Sequence, residues 1–504
     1  MYNLITIEIG QVVTEKGSDG GSQESHANYG VVWWHMMAYC LAWSSWIATF
    51  LTLGATLLLL RVVVGHRNRH QCSAPNERDD DFVAAPNERH SDGEGGMVRA
   101  VNAAELTALD DNLRGKRIVI TGGCGMIGSR AAAHFVERGA DVLILDAVQP
   151  HPSRVVGGAA YSPCIDLGGG ASAAATLDRV LTGADAVIHT AGLVVLSHQP
   201  SLLRKVHVDA TRALLESARR CGIDAFVHVS TAGVLAPNPS FTATACTVGA
   251  SAPSVAPRDA LSCYGRSKAR AERIVLRADD DSGATMRTIA LRLPGVFGLS
   301  DAMMAEPLLR GEVPAMPVPP MWRPNYRRDG AMLDVLYVEN AAAALCAAAA
   351  ALLGTRREQC AGRVFNITND EPLFIRSWSR AFAAALNDAG VTTPAGGPIS
   401  VPAPLPYSLA YIAALLSEII FSVLGGVVPY PTSPFWNLTR ATLFIATCDQ
   451  VLETRETRDV LGFTPPLDNA ASFADFAQRV QERREFAAAS AELNDAIAVV
   501  SHTS

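Results

Sequence analysis

The short β-rich run Lys116 to Thr121 (K-R-I-V-I-T) stops at Gly122, and glycines recur at 125 and 128 in T-G-G-C-G-M-I-G. Ser129 to Arg138 then carries the 3.6-residue apolar period of an amphipathic helix. Strand, glycine turn and helix in that order constrain the chain strongly, because the glycines let backbone approach a bound pyrophosphate closely. Its charge would be met by the unpaired N–H groups at the helix N-terminus. The next apolar run, D-V-L-I-L-D, ends at Asp146, about 20 residues downstream, where a carboxylate can accept hydrogen bonds from ribose hydroxyls. An acid there repels a 2′-phosphate, so the spacing predicts NAD rather than NADP.

Further β and α patterns follow. Ala184 to Gly192 reads A-D-A-V-I-H-T-A-G, a helix runs through Thr211 to Arg220, and Asp224 to Thr231 reads D-A-F-V-H-V-S-T. Strands alternating with helices predict an α/β fold with a doubly wound parallel sheet. Near-continuous apolar strand cores suit a sheet covered on both faces. The alanine excess at Ala341 to Ala351 reads as a helix burying small side chains.

Tyr264 and Lys268 end the stretch Y-G-R-S-K, and a separation of four places them on one face of a helix. Oxidation of an alcohol needs a base near the carbinol and a cation to hold that base ionised, and this pair meets both needs. A free Tyr titrates near 10, and each unit of depression requires about 1.4 kcal/mol, which a nearby ammonium and a positive nicotinamide ring can share. Lys268 would also bind the nicotinamide ribose. Thr231, at a strand end meeting the same cleft, offers its hydroxyl to the substrate oxygen. Taken singly these are ordinary helix-surface and strand-end residues. Their position downstream of the glycine loop is what points to redox chemistry.

Composition excludes some alternatives. The formal charge is −7, and the basic residues outside the membrane flank are scattered, so no broad basic face offers itself to nucleic acid. The 10 cysteines are dispersed without a C-x-x-C pair or a His-containing metal spacing, and read as reduced thiols with no metal site. After a polar tail (1–30), Val31 to Leu60 contains no Asp, Glu, Lys or Arg, and a bilayer span needs only about 20 such residues. Trp33 and Trp34 suit one interface, and Arg61, Arg67 and Arg69 suit the other, which predicts a transmembrane anchor (31–64) with the remaining chain in the cytosol. A polar linker (65–112) follows, repeating A-P-N-E-R at Ala74 and Ala85. Leu405 to Val428 is apolar but carries Glu418, so an interfacial helix fits it better than a second span. Asn366 and Asn437 begin glycosylation-like triplets that a cytosolic chain would leave unused.

The stretches T-G-G-C-G-M-I-G, Asp166 with Leu167, V-I-H-T-A-G, V-H-V-D-A-T, F-V-H-V-S-T-A-G-V, Y-G-R-S-K and L-R-L-P-G-V-F-G resemble the extended short-chain dehydrogenases in sequence and order, from about Gly115 to about Glu482. Within them, L-D-V-L-Y-V-E-N-A-A-A-A from Leu333 and F-N-I-T-N-D-E-P from Phe365 are similar to the 3β-hydroxysteroid dehydrogenase branch. The resemblance implies a Rossmann core (113–300), a smaller substrate-binding region (301–485) and a C-terminal tail (486–504). It implies that Gly122, Gly125, Met126, Ile127 and Gly128 hold the pyrophosphate, Asp146 the ribose, and Asp166 and Leu167 the adenine. Ala191 and Gly192 would line the cofactor, Pro294 would flank the nicotinamide, and Tyr264, Lys268 and Thr231 would be catalytic. Two positions depart from the family pattern: Thr231 stands where Ser is usual, and His207 where the V-N-V motif has Asn.

The activity so implied is NAD-dependent oxidation of a sterol 3β-hydroxyl in sterol biosynthesis, on a 4α-carboxysterol with decarboxylation, at the endoplasmic reticulum membrane. Rivals are a 3β-hydroxysteroid dehydrogenase/isomerase, a dehydrogenase of another hydrophobic alcohol, and a non-catalytic nucleotide-sensing scaffold. Oligomeric state is left open, a homodimer included.

Overall fold

The computed structural model describes residues 111–194, 200–235, 246–248, 262–279, 285–299, 301, 305–310, 317–318, 329–424, 443, 446–447 and 449–502. The chain divides between Ala84 and Ala85 into two units, and these residues all belong to the second. The Val31 to Leu60 run, its arginine flank, the linker and Asn437 lie outside the described residues.

Seven strands form one sheet: β1 (Arg117–Thr121), β2 (Asp141–Leu145), β3 (Ala160–Tyr161), β4 (Ala186–His189), β5 (Ala225–Thr231), β6 (Arg287–Leu293) and β7 (Arg363–Asn366). Their spatial order is β3-β2-β1-β4-β5-β6-β7, and every neighbouring pair is parallel. The order reverses between β1 and β4, which opens a crevice beyond the strand carboxyl ends where α/β sheets bind ligands. The register is level there: Thr121 pairs with Leu145 and with His189, and Thr231 pairs with Leu293.

Helices cover both faces, as the apolar strand cores predict. On one face Ile118, Ile120, Val227 and Leu291 pack against α1 (Met126–Glu137) and the alanine-rich α5 (Val338–Leu353). Small side chains let α5 lie close against the sheet, and Ala341, Ala344 and Ala348 are fully buried. On the other face Val119, Val187 and Phe226 share a core with residues of α2 (Ala171–Leu181), α3 (Ala210–Arg220) and α4 (Cys263–Asp279). α1 begins three residues before the apolar period does, because the glycine turn itself supplies its first turn.

The substrate-side region packs α6 (Ile375–Asp388) and the start of α8 (Asn469–His502) through Phe297, Trp378, Phe382, Phe473 and Phe476. The I-T-N-D-E-P block is a clasp within it. Asn369 Oδ1 accepts from Tyr337 N–H (2.9 Å) and Asn340 Nδ2 (2.8 Å), while Asn369 Nδ2 donates to Asn469 Oδ1 (2.9 Å). Asn366 is fully buried, which closes its triplet to modification. α7 (Tyr407–Leu424) covers most of the apolar tract, and Leu409, Ile412 and Leu416 stand half exposed on it at 56, 53 and 50%. No helix among the described residues is long and apolar enough to cross a membrane.

Candidate active site

Beyond the end of β1 the chain turns at Gly122 with φ +73°, a left-handed conformation that side chains disfavour. A Cβ there would also lie 2.6 Å from the Ala191 backbone. At Gly128 a Cβ would strike the Gly122 carbonyl oxygen and come within 2.7 Å of Gly123 Cα and Thr190 Oγ1, so only glycine lets α1 start this close to the strand ends. Gly125 caps α1 without a side-chain hydrogen bond, which leaves the first-turn N–H groups around Met126 and Ile127 facing out for an anion.

Asp146 sits just past β2 with its carboxylate tied to this loop. Oδ2 accepts from Cys124 N–H at 2.9 Å and Oδ1 from Val148 N–H at 3.3 Å. Arg154 donates to the Cys124 carbonyl at 3.2 Å. Burial and the neighbouring Asp146 charge push the Cys124 thiol up to about 11, so it stays protonated beneath the loop. A glycine turn open to an anion beside a carboxylate fixed at the next strand end is an arrangement that fits a nicotinamide dinucleotide.

Asp166 and Leu167, neighbours in sequence, separate in space. Asp166 is exposed and pairs with Lys205 Nζ at 2.7 Å, which holds its carboxyl below the usual range. Leu167 is buried in the core cluster shared with Ala173 and Leu177 of α2. Ala191 and Gly192 follow β4 and back onto His207 and Lys268: a Cβ on Gly192 would lie 3.3 Å from His207 Nε2 and 3.5 Å from Lys268 Nζ. Pro294 follows β6, half-buried, level with Thr231 across the β5–β6 pair.

Tyr264 and Lys268 occupy successive turns at the start of α4, and Thr231 ends β5 opposite them. Thr231 Oγ1 accepts from Gly233 N–H (3.1 Å), so its own proton is available to Tyr264, whose hydroxyl it hydrogen-bonds. Thr231 therefore braces the tyrosine as well as facing the cleft. Lys268 is buried and donates to the Val229 carbonyl at 2.7 Å.

The electrostatics correct one expectation. A depressed Tyr264 is not what the protein alone produces: burial pushes the phenol up to about 12, against the Thr231 hydrogen bond. Burial brings Lys268 down to about 8, with Glu272 opposing, so the ammonium persists at neutral pH.

Sequence reasoning missed the layer beneath. Glu272, one turn past Lys268, is fully buried and forms a two-point ion pair with Arg292 of β6 (2.7 and 3.0 Å), while Ser230 donates to it at 2.6 Å. Helix, β5 and β6 are thereby locked together directly behind Thr231 and Pro294. The available signal was the spacing Y-x-x-x-K-x-x-x-E, which continues the Tyr–Lys face by one turn.

Fold and site together define an α/β protein whose sheet edge brings a glycine turn, an acidic strand end and a buried Tyr–Lys pair into one crevice. Residues 119–393 match the family model described as 3-beta hydroxysteroid dehydrogenase/isomerase, and the chain belongs to that family. It is similar to the decarboxylating sterol-4-alpha-carboxylate 3-dehydrogenase of Candida albicans, 26% identical over 323 residues, covering 62% of this chain and 86% of that one. The enzyme of the same name from Schizosaccharomyces pombe is 30% identical over 202 residues, 39% of this chain and 54% of its own length. Among solved structures, the dTDP-glucose 4,6-dehydratase DesIV of Streptomyces venezuelae, with NAD bound, shares the fold at TM-score 0.51 and 16% identity, over 73% of this chain and 98% of that one. The protein is an NAD(P)-dependent oxidoreductase acting on CH–OH groups.

Proposed function

We propose that this enzyme oxidises the 3β-hydroxyl of a sterol with NAD as acceptor, and that the sterol carries a 4α-carboxylate lost as carbon dioxide. The observation that carries the reading is the convergence of Tyr264, Thr231 and Lys268 beside Gly192 at the sheet's carboxyl edge, in a chain of this family. The relatives named for the 4α-carboxylate reaction supply the substrate. Asp146 favours NAD, because a 2′-phosphate would meet a carboxylate already fixed by two backbone N–H groups.

When bound, the nicotinamide would supply the hydride acceptor and a positive charge. Tyr264 must be ionised to act as the base: Thr231 donates to its phenolate oxygen, which takes the carbinol proton and becomes the neutral phenol. Lys268 keeps an ammonium at the same edge, held by Val229. Oxidation at C3 turns a 4α-carboxysterol into a β-keto acid. The C4–carboxyl bond then breaks with its electron pair delocalised onto the new carbonyl, so decarboxylation needs no further catalytic group.

The substrate dissolves in lipid, and two features fit a membrane-held enzyme. Val31 to Leu60 is a charge-free run long enough for an anchor, and Leu409, Ile412 and Leu416 present one apolar helix face for interfacial contact. The family resemblance favours the endoplasmic reticulum, with the catalytic unit facing the cytosol.

Purified protein given NAD and a 4α-carboxysterol should yield equimolar NADH and decarboxylated 3-ketone. Tyr264→Phe should abolish both while NAD still binds. Full turnover in that variant would overturn the mechanism. Turnover of a Δ5-3β-hydroxysteroid but of no carboxysterol would replace the substrate reading with the dehydrogenase/isomerase one.

A further inference from the structure

His207 stands where the family pattern has Asn, and its surroundings are specific. It lies in a π-helical turn, Arg204–Asp209, that leads into α3. Such single turns with an extra residue recur at functional sites. The imidazole is buried, edge-on to the Tyr264 ring at 5.6 Å and 79°.

Proton directions along its contacts are determined. Leu193 N–H donates to Nε2 at 3.0 Å, so Nε2 is an acceptor and the ring proton sits on Nδ1. Nδ1–H then donates to Ser267 Oγ at 2.8 Å, and Ser267 O–H donates to the carbonyl of Tyr264 at 2.8 Å. A second arm reaches the glycine loop. Thr211 O–H donates to the His207 carbonyl at 2.5 Å and accepts from His189 Nε2 at 2.9 Å. His189 Nδ1 accepts from Thr121, the last residue before Gly122, at 2.7 Å. Thr121, His189, Thr211, His207, Leu193, Ser267 and Tyr264 thus form one hydrogen-bonded series with a single consistent set of donors.

We propose that His207 is a positioning residue that fixes the cofactor-lining Gly192–Leu193 turn to the catalytic helix, through Leu193 N–H on one side and Ser267 with the Tyr264 carbonyl on the other. Gly192 is the point of closest approach. With no side chain it lets His207 Nε2 close onto the turn from behind, where a Cβ would lie 3.3 Å from that nitrogen, tighter than an ordinary contact. The inference rests on the dinucleotide site and not on the identity of the alcohol.

The test separates positioning from packing, in the full chain, with NAD itself as probe. His207→Leu fills the ring's volume but accepts no hydrogen bond. His207→Gln places an amide oxygen near Nε2 and restores the Leu193 contact. Calorimetric NAD affinity should fall roughly 3- to 10-fold in His207→Leu, the effect of losing one partly buried hydrogen bond that fixes the turn, and should return to within about 2-fold of the original in His207→Gln. Hydrogen exchange at the Leu193 amide should quicken in the Leu variant and stay slow in Gln. Ser267→Ala should weaken NAD binding less than additively with His207→Leu, because both cut one series. Unchanged affinity and unchanged Leu193 exchange in His207→Leu, or strict additivity with Ser267→Ala, would overturn the proposal. The unsubstituted protein gives an independent reading: nitrogen NMR of labelled histidine should find the His207 proton on Nδ1 near pH 7, and a proton on Nε2 would equally overturn it.

Discussion

Three histidines are buried beneath the catalytic lysine, and acid should unfold the protein through them. His189 is held down to about 3, His207 to about 2 and His228 well below its ordinary value, in each case first by burial and then by the Lys268 charge. In the unfolded chain each titrates near 6.5. The unfolded state therefore binds protons that the folded state refuses, and stability must fall as pH drops below about 6.5. Between pH 7 and 5 each histidine costs about 2 kcal/mol by this linkage, so the three cost about 6 kcal/mol. Asp334 acts in the opposite sense. Burial raises its folded value to about 6, so it takes up a proton in the folded state and returns about 1 kcal/mol over the same range. The net loss should be about 4 to 5 kcal/mol, a large part of the 5–15 kcal/mol typical of a domain. Urea unfolding followed by fluorescence at pH 7, 6 and 5 measures it. His228 gives the sharpest control, because neither ring nitrogen has a hydrogen-bond partner among the described residues. His228→Leu should remove about 2 kcal/mol of the pH-dependent loss and should also stabilise the protein at pH 7, since it deletes two unsatisfied polar atoms. A loss below about 2 kcal/mol between pH 7 and 5, or a His228→Leu slope equal to the original, would refute the linkage.

Two further outcomes follow from the site's packing. Glu272→Gln takes the negative charge out of the fully buried Glu272–Arg292 ion pair and should cost about 3–5 kcal/mol in thermal or urea unfolding. The same change removes the carboxylate that raises Lys268, so the alkaline limb of the activity profile should move to lower pH. Gly128→Ala forces a Cβ onto the Gly122 carbonyl, with an overpacking cost of about 1–3 kcal/mol; NAD affinity by calorimetry should fall at least about tenfold as the loop shifts.

Much of the cofactor half was legible because its signals are local. Near-continuous apolar runs and a 3.6-residue period located β1, β2, β4, β5 and α3 to within three residues, and the glycine spacing located the turn between β1 and α1. Asp146 was readable because a strand end and a loop a fixed distance upstream must meet at one sheet edge, and its bond to Cys124 N–H shows that they do. The Asp166–Leu167 pair was not readable in the same way. One peptide bond turns the first side chain to solvent and the second into the core, and no period marks that reversal. The I-T-N-D-E-P block identified a branch of the family without revealing its work, since Asn369 acts on Tyr337, Asn340 and Asn469, all remote in sequence.

Alone, the sequence determined the order of strands and helices, the glycine turn, and a Tyr and a Lys one helical turn apart. Those depend on backbone conformations and spacings that neighbouring residues impose on each other. Only the tertiary structure decided the protonation of the site. Burial, not the neighbouring lysine, dominates Tyr264; the Glu272–Arg292 pair lies behind Lys268; and His207 joins the cofactor turn to the catalytic helix. The physical reason is that desolvation and hydrogen-bond direction depend on what surrounds a group in space, and residues from four separate strands and helices supply those surroundings here.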